Sequence, residues 1–106
     1  MNKPLHYYLT GSAADRLADE YGEFLEHMTK DQKLLMLSIL SGVLYYMEIN
    51  PCEEYSIDEH IQAQPAPIKE SIGDAFYGTM TQLDECESSW IAMLAMVLAV
   101  AVTEQR

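Results

Sequence analysis

A chain of 106 residues with seventeen acids, six bases and a net charge of −11 is one domain, with room for a core that needs no metal or disulfide staple. A field of that sign repels nucleic acid and anionic lipid and draws in basic proteins or cations, although acidity also serves solubility. Two cysteines, Cys52 and Cys86, with no CxxC, are too few for a secreted disulfide scaffold and lead us to expect a reduced, cytoplasmic protein.

Leu5–Leu9 is too short and polar for a signal sequence and is expected to pack on the rest as a short helix or strand. Ser12-Ala13-Ala14-Asp15 resembles a capping box with Asp in place of Glu, and it opens a helix predicted over 13–28. Ala14, Leu17, Ala18, Tyr21, Phe24, Leu25 and Met28 recur there at 3-4 spacing, with Gly22 as a tolerated weak point. Thr29-Lys30-Asp31-Gln32 is a full capping box for a second helix over 30–49. Asn50-Pro51 ends it, because proline disfavours helical geometry in the residue before it. Its apolar residues cover most of the circumference, apart from a strip of Ser38, Ser41, Gly42, Tyr45 and Glu48. The small residues of that strip suit the close approach of another helix.

Ser56-Ile57-Asp58-Glu59 is a third box, for a short helix that stops before Pro65. A helix over 68–83 should bury Ile68, Ile72, Ala75, Phe76, Thr79, Met80 and Leu83, weakened at Gly73 and Gly78. The last helix begins near Ser88-Ser89 and carries thirteen uninterrupted apolar residues, Trp90 to Val102. A membrane span needs about 20, so this run is expected to be a buried helix. The chain therefore reads as one all-α domain over 1–106, a compact bundle of four to five helices with a largely apolar C-terminal helix. Its two apolar helices, 34–47 and 90–102, exceed what one short bundle covers, and a homodimer is expected to supply the rest.

The charge is uneven: residues 1–50 carry a net −3 and residues 51–106 a net −8. The densest acidic stretch follows a tyrosine pair. Tyr45, Tyr46, Glu48, Glu53, Glu54, Tyr55, Asp58 and Glu59 lie within fifteen residues that hold no positive charge. Tyrosine gives large contact area at small entropic cost, and clustered carboxylates attract cations, so these eight are the candidate partner-binding residues.

Catalytic and metal chemistry find little footing. Neither His27 nor His60 has the Glu-x-x-His spacing of a di-metal bundle, since Phe24 and Ile57 stand three residues before them. Glu23 with His27, and Asp58-Glu59-His60, are weak ligand candidates, and His6 has no sequence partner. Cys86 sits in Asp84-Glu85-Cys86-Glu87, where carboxylates oppose a thiolate and Asp84 with Glu87 can cap the last helix. No G-x-S-x-G or phosphate cradle is present. We expect no enzyme, metal or cofactor, and no nucleic-acid or membrane partner.

Ser41-Gly42-Val43-Leu44-Tyr45-Tyr46, followed by acids, resembles the Tyr-Tyr and acidic recognition region of small helical immunity proteins that neutralise nuclease toxins. The similarity covers some fifteen residues, and Met47 stands where that family places proline after the tyrosine pair. The resemblance implies that Tyr45, Tyr46 and the following acids contact a basic nuclease toxin. Two other readings are a helical homodimeric adaptor or regulator, and a small-molecule sensor with a pocket of Met36, Tyr46, Phe76, Met80, Trp90 and Met93.

Overall fold

The computed structural model describes residues 3–104. In chain order these form α1 (Leu5–Tyr8), α2 (Ser12–Tyr21), α3 (Lys30–Ile49), α4 (Ile57–Gln62), α5 (Ala66–Glu70), α6 (Asp74–Gln82), a 3-10 turn (Leu83–Glu85) and α7 (Ser88–Glu104). The fold is all-α, with no strand among the described residues, and four of the seven helices have seven residues or more. None of them is long and apolar enough to cross a membrane.

The two long helices, α3 and α7, pack on each other through the middle of the molecule. Met36, Ile39, Leu40 and Val43 of α3 and Ile91, Leu94, Val97 and Leu98 of α7 are all buried. A fully buried side chain of this size stabilises by about 1.5–3 kcal/mol, so this pair dominates the core. The Thr29 box is complete. Gln32 N–H donates to Thr29 Oγ1 at 3.1 Å, and Thr29 N–H donates to Gln32 Oε1 at 3.0 Å. At the other end the Asn50 N–H still reaches Tyr46 O at 3.0 Å, but Asn50 itself leaves helical geometry ahead of Pro51. Lys33 is buried on α3. Desolvation pulls its amine below the ordinary lysine value, and the Glu26 carboxylate opposes that shift.

Two helices are shorter than the periodicity predicts. The expected helix over 13–28 stops at Tyr21. Gly22 takes φ 89° as it leaves the helix, its N–H bonding Ala18 O at 2.8 Å. Leu25 then adopts φ 54°, a left-handed geometry that costs roughly 1–2 kcal/mol outside glycine. Complete burial of its side chain offsets that cost. Leu25 and Met28 thus reach the core from a loop, and Phe24 turns to solvent. The Ser12 box does not form, because Gly11 is the N-cap and no side chain caps α2.

The expected helix over 68–83 is likewise broken at Ser71–Gly73. Extended Gly73 starts α6, and α5 buries nothing. From α6, Thr79 Oγ1 donates to Glu20 at 2.8 Å, and the Phe76 ring meets Tyr21 edge-on at 6.4 Å. These contacts hold α6 against α2.

Candidate protein-binding face

The C-terminal end of α3, the loop after it and α4 form one corner. Gly42 makes the corner possible: a Cβ there would lie 2.4 Å from His60 Nε2, so α4 rests directly on the α3 backbone. This is the close approach that the small-residue strip predicts, confined to Gly42, since Ser38 and Ser41 stay exposed. The His60 ring stands edge-on to Tyr55, with Nδ1 2.9 Å from Tyr55 Oη, and the Gln64 side-chain amide is 3.1 Å from Nε2. With that amide donating to Nε2, Nδ1 carries the proton and donates to Tyr55. Burial holds His60 below its ordinary value of 6.5, hence neutral at pH 7.

Tyr55 in turn stacks on Tyr46, with centroids 3.9 Å apart and planes at 27°. The Tyr46 hydroxyl donates to Glu53 at 2.7 Å, and that carboxylate raises the phenol above its usual range. A continuous run of contacts, Glu53–Tyr46–Tyr55–His60–Gln64, therefore fixes the loop to both helices.

What remains outward is distinct. Tyr45 is 67% exposed, and Ile49, one helical turn later, is 56% exposed. Glu48, Glu53, Glu54 and Glu59 are exposed in the same 45–59 stretch. No Lys or Arg occurs from Leu34 to Ile68. No cation among the described residues pairs with those four glutamates; the side-chain ion pairs found lie elsewhere, His6 with Asp15 and Glu23, and Arg16 with Glu20.

Seven of the eight sequence candidates are exposed or half-buried along the 45–59 stretch without turning inward, and the structure divides their roles. Tyr45 is free to touch a partner. Tyr46 and Tyr55 are half-buried braces. Asp58 turns inward, where its carboxylate accepts from the Tyr77 hydroxyl and fixes α4 to α6. Asp84 has the role that sequence misplaced. It accepts from Ile57 N–H at 2.6 Å, at the N-terminus of α4 rather than of α7.

Other sequence candidates fall elsewhere. Glu23 and His27 share no helix, since α2 ends before them. Glu23 instead meets His6: one imidazole nitrogen faces Glu23 and the other lies 2.7 Å from Asp15, and both contacts hold His6 above 6.5, Asp15 having the larger effect. No sequence signal linked these three residues, which come from separate segments. Among the described residues no group of three or more His, Cys, Asp or Glu could hold a metal. The Cys86 thiol is pushed up by burial and by Glu85, and it lines a cleft of about 470 Å³ with Thr10, Ser12, Arg16 and Trp90. Of the six residues of the sensor reading, Met36, Phe76 and Met80 lie in the core, Tyr46 braces the acidic corner, Trp90 donates to Thr10 O at 3.0 Å, and Met93 is exposed. No family model, curated protein or solved structure matches this chain.

Proposed function

We propose that the chain is a non-enzymatic binding protein that masks a basic surface on another protein with the face centred on Tyr45. The observation that carries this reading is an exposed tyrosine and isoleucine in a stretch with four exposed carboxylates that no described cation neutralises. Such an arrangement joins an anchor, which slows dissociation, to a field that speeds encounter. Glu53 and His60 fix the two braced tyrosines beforehand, so little ordering is left to be done on binding. The resemblance to immunity proteins makes a nuclease toxin the target class, and two free cysteines accord with a cytoplasmic setting.

The test is capture from a lysate at low salt on the immobilised chain, alongside a variant with Glu48, Glu53, Glu54 and Glu59 changed to glutamine. The expected catch is a basic protein that is retained by the wild type, lost from the variant, and lost from both at high salt. Charges at the surface are screened over about 8 Å at physiological ionic strength. Undiminished capture by the quadruple variant would show that the acidity serves solubility alone. A toxin gene adjacent to this one would favour immunity over an adaptor role.

A further inference from the structure

The outward side of α7 is uncharged over most of its length. From Ser88 to Thr103 the helix carries no charge, in a chain of net −11. Its exposed positions before Glu104 are Ser88, Ser89, Ala92, Met93, Met96, Val100 and Thr103, and Trp90, Ala95, Ala99 and Val102 are half-exposed. Among them Ser89, Ala92, Met96, Ala99 and Thr103 fall at the 3-4 spacing of a coiled-coil seam, with Met93 and Val100 beside it. Met93, Met96, Val97 and Val100 stand at i, i+3, i+4 and i+7, the four corners into which a knob from a facing helix inserts. With Tyr8 of α1 at its side they enclose a hole of about 60 Å³. The most exposed residue of this side, Met96 at 62%, projects beside the hole.

The seam is a palindrome about Met96. An antiparallel partner helix with its two-fold axis there sets Met93 against Ala99, Ala92 against Val100 and Ser89 against Thr103. Large meets small and polar meets polar. The partner's Met96 then faces the hole. Antiparallel pairing also lays the positive N-terminal end of one helix beside the negative C-terminal end of the other, and the acids that flank the seam, Glu87 and Glu104, stand just beyond its two ends. A second copy repels this one over the rest of its surface and meets no charge along this seam. We infer that α7 is the contact between two copies of this chain, paired antiparallel about Met96, with each Met96 seated in the hole of the other copy. The inference stands apart from the acidic face, which it leaves open on both copies.

The area sets the strength. Seventeen residues of helix make a strip roughly 25 Å by 10 Å, small beside the roughly 800 Å² per partner of a standard interface. The pairing is therefore weak and concentration-dependent.

Sedimentation of the full chain over a rising concentration series should show the mass climbing from 12.0 kDa to twice that value. Met96→Glu should hold the mass at one chain throughout while its helical circular dichroism and unfolding midpoint at low concentration match the wild type. Register is read in a Cys52→Ser, Cys86→Ser background with a short bis-maleimide. Met96→Cys should link to itself. Ser89→Cys should link to Thr103→Cys but not to itself, because positions 89 lie about 21 Å apart along antiparallel axes. A chain that stays monomeric at the highest concentration overturns the inference. So does a Met96→Glu variant that still dimerises, or self-linking at position 89. A cross-link through Tyr45→Cys in place of Met96→Cys would mean that the acidic face pairs the copies, and would overturn it equally.

Discussion

α3 and α7 begin alike and end differently. In sequence each is apolar around most of its circumference, and in the fold each buries one side against the other. Their outward sides diverge. That of α3 carries Ser38, Ser41, Tyr45 and Glu48 among exposed Leu34, Met47 and Ile49, and runs into the acidic loop. That of α7 carries serine, alanine, methionine, valine and threonine, with no charge before Glu104. One side suits a charged partner that arrives by long-range attraction. The other suits a neutral, shape-matched partner. A helix that looks fully apolar in sequence thus has a core side and a second side whose residue types must be read separately.

The largest expected effect separates the two sides of α7. Leu94→Ala, on the fully buried side, should cost about 2–5 kcal/mol of unfolding free energy in urea titration. Met96→Ala, only two residues on, should stay within about 0.5 kcal/mol at low protein concentration. Equal losses would mean that the outward side is part of the monomer's core.

The α3 side is sharpened at Gly42. Alanine gains roughly 1 kcal/mol of helix propensity, yet its Cβ would meet a His60 ring held by Tyr55 and Gln64. Overpacking of this kind costs about 1–3 kcal/mol. We expect Gly42→Ala to be destabilising on balance by about 1 kcal/mol in thermal or urea unfolding. A more stable variant would show that α4 shifts without cost. Thr29→Ala, which removes one half of the α3 box, should cost a comparable amount, about 1 kcal/mol, by the same measurement.

The smallest effect uses pH to pull the two sides apart. His6 braces α1, whose Tyr8 lines the α7 hole, and His60 braces the acidic corner. His6 has a raised folded pKa, so its contribution is full below 6.5 and disappears as pH climbs through the raised value. His60 has a lowered one, so its contribution is present above 6.5 and is lost as pH falls through the lowered value. Melting of His6→Gln relative to wild type should therefore worsen on going from about pH 8 to about pH 5.5. The deficit of His60→Gln should shrink over the same change. Two deficits moving together would break the contrast.

Cap and proline signals carried the α3 box and the stop at Pro51, and the repeating pattern of apolar residues carried the fold class without telling the core side of α7 from its outward one. It failed where a loop continued the phase of a helix. Leu25 and Met28 fit the α2 stripe and are buried, so only Gly22 marked the break, and its role as a helix stop is visible in type but not in periodicity. Gly73 hid the α5–α6 break in the same way. Along the 45–59 stretch, composition identified the acids and the exposed tyrosine. It could not assign Asp58 to Tyr77, Asp84 to Ile57 or His6 to Asp15 and Glu23, because each of those bonds joins segments 9–27 residues apart.

The stretch without Lys or Arg, from Leu34 to Ile68, also decides what chemistry can report on the acidic corner. Amine-directed dyes and cross-linkers have no target there, so a fluorophore coupled through lysine leaves that surface untouched and is a safe label for titrations. Carbodiimide coupling works in the opposite sense. It would activate Glu48, Glu53, Glu54 and Glu59 and trap whichever lysine of a captured protein lies against them. Trypsin would then release the whole corner as a single peptide, residues 34–69, carrying the mark of the contact.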